Sequence, residues 1–127
     1  KQVQQYSPVV DGQLIDASLR RRLLNHQIAF TAQRLTQKRV IEETAASAPG
    51  FASSAVKLSN ALITQEGDEI LVAAMGTQGI GWGATGFQTK ELDATKDWLK
   101  QKSLTIAGGT KEVQLNIIAK RVLGLPD

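Results

Sequence analysis

The sequence predicts an all-α fold, an up-and-down helical bundle. Three observations predict it. Apolar residues recur at intervals of three and four in four separate stretches. Glycines, prolines and small polar cap residues punctuate the chain between those stretches. No stretch keeps a sustained alternation of period two, so β structure is not expected.

Residues Lys1 to about Gln13 contain Gln, Pro and Gly without a period. They read as a tail or linker, with the helical domain running from residue 14 to 127. The first helix is expected from about Asp16 to Ala46. Leu24, Ile28, Thr31 with Ala32, and Leu35 follow helical spacing, with Leu19 and Leu23 a turn earlier. Pro49-Gly50 breaks the chain, and Ser53 or Ser54 suits the next cap.

The second helix is expected to run to about Met75. Val56, Ile63, Ile70 and Ala74 share one face, with Leu58 and Leu62 alongside. Gly67 inside it costs about 1 kcal/mol relative to alanine, so a neighbouring helix is expected to approach closely there. Glycines at 76, 79, 81, 83 and 86 then mark the longest loop. The third helix is expected from about Gln88 to Lys102, with Leu92, Thr95, Trp98 and Leu99 facing inward.

The last helix is the best delimited. Gly108 and Gly109 break the chain, and Thr110 suits an N-cap. Glu112 places a negative charge in the first turn, where the helix N-terminus favours one. Leu115, Ile118, Ala119 and Val122 recur at helical spacing, with Val113 and Ile117 beside them. Lys120 and Arg121 occupy the last turn, Gly124 fits just past the end, and Pro126 forbids continuation. A glycine turn feeding a helix N-terminus also presents backbone N–H groups to an anion.

Composition excludes several functions. With 127 residues the chain is one domain, long enough to bury a core. Zero cysteines rule out disulfides and thiolate chemistry, and a single histidine rules out a multi-histidine metal site within one chain. The net charge of +3 comes from dispersed residues, and aromatics make up 5%, too few for base-stacking platforms; no nucleic-acid partner is expected. No apolar run is long enough to span a bilayer and no leader is visible, so no membrane span and a cytoplasmic location are expected. The chain opens on Lys1 rather than Met and reads as a trimmed piece.

Apparent motifs weigh differently. Gly76-x-x-Gly79-x-Gly81 follows a helix rather than a strand, which removes a dinucleotide fingerprint. Gly109-Thr110-Lys111 has the wrong order for a phosphate loop. Arg20, Arg21 and Arg22 point about 100° apart on a helix and read as a solvated helix start; the functional alternative is a phosphate contact. His26 reads as a packed or solvated residue. Glu66, Asp68 and Glu69 could do acid–base work but read as a solvent-facing cluster. Trp82 and Trp98 read as packing anchors.

Ile106-Ala-Gly-Gly-Thr-Lys-Glu-Val-Gln114 and Arg121-Val-Leu-Gly-Leu-Pro126 resemble the closing signature of the acyl-CoA dehydrogenase family. Asp16 to Leu23, Pro49 to Leu58 and Met75 to Gly79 resemble further family segments more loosely. The resemblance implies the C-terminal helical domain of an enzyme roughly three times this length. It implies FAD as cofactor, an acyl-CoA thioester as substrate and a 2-enoyl-CoA as product. Electron-transfer flavoprotein or a similar acceptor, and homo- or hetero-oligomeric partners, follow from the same resemblance.

Carried over residue by residue, Gly109 lies near the thioester, and Thr110 and Glu112 near the flavin. Gly76 and Gly79 belong to a loop that approaches the flavin's adenosine half from a neighbouring subunit. Ala73 replaces a glutamine often found before that loop. Gly108 stands where one branch of the family has its glutamate base, so no catalytic residue is assigned in this chain. The base is expected upstream of Lys1, and the isolated chain is expected to be inactive. Two alternatives remain: a helical oligomerisation module, and an oxidase or non-catalytic relative of the same family.

Overall fold

The computed structural model describes residues 2–46, 53–83 and 85–126. Four α-helices form as the periodicity predicts. They are α1 (Ala17–Ala45), α2 (Ser53–Met75), α3 (Thr89–Gln101) and α4 (Lys111–Ile117). The Asp16 carboxylate caps α1, accepting from the N–H groups of Ser18 at 2.8 Å and Leu19 at 2.9 Å. At the start of α3 the Gln88 N–H donates to the Glu91 carboxylate at 2.8 Å. The Thr110 hydroxyl accepts from the Val113 N–H at 3.4 Å and caps α4. The Pro49-Gly50 break lies outside the described residues. Ser53 and Ser54 both lie within α2 rather than before it.

α4 widens directly into a π-helical turn, Ile118–Val122. The Leu123 N–H reaches back to the Ile118 carbonyl at 3.0 Å, and the Leu125 N–H to that of Ala119 at 3.0 Å. Gly124, at φ +65°, supplies the left-handed residue that lets these last carbonyls be capped.

α2 is the central element: α1, α3 and α4 all pack against it. Ile70, toward its C-terminal end, is 1% exposed. Around it gather Val3, Leu14, Leu19 and Ala74, with Leu23 and Leu71 packed alongside.

The N-terminal stretch departs from the expected tail without β structure. Val3–Gln5 form a 3-10 turn that buries Val3. Val9–Val10 (β1) and Gln13–Leu14 (β2) pair antiparallel, Val9 opposite Leu14 and Val10 opposite Gln13. Asp11 and Gly12 between them have φ of +50° and +75°. An Asp-Gly pair with positive φ at both positions is the favoured two-residue hairpin turn. The strands are too short to write a period-two pattern, so the turn was the only signal. Arg20 ties the hairpin to α1 by donating to the Leu14 carbonyl at 2.7 Å.

The inner faces also differ from the apolar stripes. On α1, Ile28 is 68% and Leu35 is 64% exposed, and Leu24 faces outward too. Leu19, half-buried Leu23 and the buried Gln33 face inward instead. On α3, Glu91 and Thr95 are buried whereas Leu99 is exposed. On α4, Gln114 is buried while Val113, Leu115 and Val122 are exposed. In each case the inward polar side chain has a hydrogen-bond partner within the fold, which lets it compete for the inside. The Gln33 amide donates to the Val56 carbonyl at 3.0 Å and accepts from the Ser59 hydroxyl. The Thr95 hydroxyl donates to the Gly79 carbonyl at 3.1 Å. Trp98 is half-buried as an anchor, but Trp82 is exposed.

Candidate functional site

The approach to α4 is built from α3 outward. After α3 a 3-10 turn, Lys102–Thr105, carries the chain back along α2. The Gln65 amide of α2 donates to the Gln101 carbonyl at 2.9 Å and fixes the end of α3. Ile106 and Ala107 close the turn, their N–H groups donating to the Ser103 carbonyl at 2.9 and 2.8 Å. Then come Gly108 at φ +69° and Gly109 at φ +102°. Side-chain-bearing residues rarely adopt either value, so the pair is conformationally required.

Two side chains grip this glycine turn. Lys57, in the first turns of α2, donates from Nζ to the Gly109 carbonyl. Gln114, 6% exposed, donates from Nε2 to the Gly108 carbonyl at 3.0 Å. The same amide nitrogen lies 2.7 Å from where a Cβ on Gly109 would sit. Glu112 is exposed beside the turn. Its own backbone N–H, then the Thr110 hydroxyl, hold its carboxyl below the usual carboxylate range. Gly108, Gly109, Thr110 and Glu112 are thus one cluster at the mouth of α4.

Gly76 and Gly79 are not part of it. They lie at the opposite end of α2, in the 3-10 turn Gly76–Ile80. Gly76, at φ +56°, turns the chain out of the helix. Gly79 is buried, and a Cβ there would come within 2.6 Å of the Val72 carbonyl oxygen. Packing alone demands a glycine at that position.

In the acidic cluster on α2, Glu66 and Glu69 are partly buried and paired rather than simply solvent-facing. Arg22 from α1 donates to Glu66 at 3.0 Å and approaches Glu69 at 3.8 Å, while Lys102 pairs with Glu69. The hydrogen bond to Glu66 raises the Arg22 guanidinium above its ordinary value. Lys102 also lies 5.5 Å from the centroid of the Trp98 ring. Arg20 and Arg22 are therefore committed within the fold, which leaves Arg21 as the exposed member of the arginine run.

Asp68 and His26 form the other notable pair. Asp68 Oδ2 and His26 Nδ1 are buried without a hydrogen-bond partner among the described residues. Burial pushes the Asp68 carboxyl up and Asp97 adds to it, while Lys102 and His26 oppose. Both side chains line a groove of about 430 Å³ whose walls include Val3, Leu23, Ile70 and Leu71.

Sequence reasoning gave no role to Lys57, Gln114, Gln33 or Gln65, although Gln114 stands in the closing signature and Lys57 in the Pro49 to Leu58 segment. The readable signal was a polar residue recurring on an otherwise apolar helical face. Among the described residues no group of three or more His, Cys, Asp or Glu side chains could hold a metal ion. Nor is any described helix long and apolar enough to cross a membrane.

The family model described as acyl-CoA dehydrogenase, C-terminal domain, matches residues 3–123. No curated protein matches the chain, and no solved structure does.

Proposed function

Since the chain belongs to the acyl-CoA dehydrogenase family, as its C-terminal domain, we propose that it serves a flavin-dependent enzyme converting an acyl-CoA thioester to the 2-enoyl-CoA. Its part is to close the site over FAD and thioester and to join subunits. The observation that carries this reading is the glycine turn held at the mouth of α4. Gly108 and Gly109 keep side chains out of the space before the helix. The Thr110 hydroxyl, the α4 N-terminus and Glu112 offer polar groups at its rim. These residues suit the edge of a flavin site but are too few to hold so large a ligand alone.

When bound, the flavin supplies the acceptor for the substrate's β hydrogen as hydride, and an electron carrier such as electron-transfer flavoprotein re-oxidises it. This chain's residues would position the reactants. Gly109 lies against the thioester, whose carbonyl must be polarised by hydrogen bonds before its α proton becomes removable. Thr110 and Glu112 would orient the flavin edge. Gly76 and Gly79 would approach the adenosine half of a flavin held by another subunit. Gly108 offers no proton acceptor, so the base that takes the α proton comes from elsewhere in the enzyme. A cytoplasmic location belongs to the same proposal.

The test compares this chain with the full-length protein that contains it. Flavin absorbance and dye reduction by a panel of acyl-CoA thioesters are measured for both. The expected result is a yellow, active full-length protein and a colourless, inactive domain. A full-length protein inactive despite added FAD would overturn the reading.

A second reading is a helical oligomerisation module, favoured by the exposed Leu24, Ile28 and Leu35 on α1. An assembled but flavin-free full-length protein would support it.

A further inference from the structure

We propose that Lys57 and Gln114 are positioning residues that set the orientation of the Gly108–Gly109 turn, and through it the presentation of Thr110 and the α4 N-terminus. This rests on the functional reading above.

The two grips come from different helices and fall on successive carbonyls. Lys57 stands on α2 and takes the Gly109 carbonyl; Gln114 stands on α4 and takes the Gly108 carbonyl. Each peptide unit is planar, and none in the described chain is cis. In a trans peptide the N–H points opposite to the C=O. Holding both carbonyls therefore also aims the N–H groups of Gly109 and Thr110 away from the two grips.

Glycine alone would not hold such an arrangement. It samples positive and negative φ about equally, so two adjacent glycines form a hinge unless something pins them. Gln114 pins from below: its amide fills the space that a Cβ on Gly109 would take, 2.7 Å away. The Lys57 stem supports the neighbouring residue, with Cε 3.7 Å from the Cβ position of Gly108. A charged donor on a half-buried carbonyl makes a stronger hydrogen bond than a neutral one. The absence of side chains at the turn thus coexists with a fixed backbone.

The test uses Lys57→Met and Gln114→Met, which keep the stem volumes and remove the donors, and Lys57→Arg, which restores one. Hydrogen exchange is followed by mass spectrometry on peptides covering 105–112 and on those around Ile70. We expect exchange at the turn to rise about tenfold in each Met variant. The peptides around Ile70 should keep their protection, and Lys57→Arg should bring the turn back toward wild type. In the flavin-loaded full-length protein, the Met variants should raise KM for acyl-CoA and lower kcat together. Unchanged exchange at the turn, or an equal rise around Ile70, would overturn the proposal. So would a loosened turn with wild-type kinetics. If the wild-type full-length protein shows no acyl-CoA activity, the functional reading has failed, while the exchange data still decide whether the two side chains pin the turn.

Discussion

The His26 imidazole occupies the space where Gly67 would carry a Cβ, with Cε1 3.0 Å and Nε2 3.2 Å from that point. The ring also stacks beside Phe30, their centroids 6.5 Å apart. α1 and α2 thus meet through a ring on one and a bare backbone on the other. This is the close approach that a mid-helix glycine implied.

Gly67→Ala is therefore expected to lose the usual gain in helix propensity, about 1 kcal/mol, to displacement of the ring. In a His26→Ala background the same change should stabilise by about that amount. Urea unfolding of the four proteins in the cycle reads the coupling. Equal effects in both backgrounds would show that the ring does not decide the choice of glycine.

Gly79→Ala is expected to destabilise by about 2 kcal/mol, because the obstruction is the Val72 carbonyl and not a movable side chain. Gly83 has open space around its Cβ position and serves as the control. Thermal unfolding that ranked the two alanine variants together would contradict the packing account of Gly79.

Asp68 and Glu112 are expected to respond to pH with opposite signs. Asp68 is raised in the folded state, so the fold binds its proton more tightly than the unfolded chain does. Stability from this group is present in acid and falls as pH rises from the ordinary carboxylate value through the raised one. Asp68→Asn should stabilise at neutral pH and gain nothing in acid. Glu112 is lowered, so its contribution is present above the ordinary value and is lost as pH falls through the depressed one. Glu112→Gln should cost a little at neutral pH and nothing in strong acid. Unfolding midpoints at the two pH extremes distinguish the signs.

The outward face of α1 is expected to drive self-association of the isolated chain. Leu24, Ile28 and Leu35 lie on one side of it, and exposed contiguous apolar surface of this kind favours a partner. Ile28→Glu combined with Leu35→Glu should shift sedimentation toward monomer without loss of helical circular dichroism. A wild-type chain that stays monomeric at high concentration would contradict this.

The helices were legible because each breaks at a residue with a physical reason to end it. Asp16, Gln88, Thr110 and Gly124 each stand at a helix terminus. Sidedness was less legible. Leu35 and Ile28 keep a helical period, yet Gln33 takes the inside through partners on α2 that lie more than twenty positions away in sequence. The period reveals that a helix has an apolar stripe; it does not say whether this chain or another covers it. The hairpin was missed because two-residue strands carry no pattern, although Asp11-Gly12 did carry a turn signal. At the glycine turn the residues were visible in the sequence. The hold of Lys57 on it was not, because that contact crosses from α2 to the turn before α4, fifty-two positions away in sequence.

α2 also acts as a ruler. At a rise of roughly 1.5 Å per residue, its length from Lys57 to Met75 is about 27 Å. The glycine turn is fastened at one end of that rod and the Gly76–Ile80 turn begins at the other. A single ligand end that needs contacts from both turns must therefore draw them from two copies of the chain. Occupancy and assembly would then be one equilibrium, and dilution of the protein would release the ligand as surely as dilution of the ligand itself.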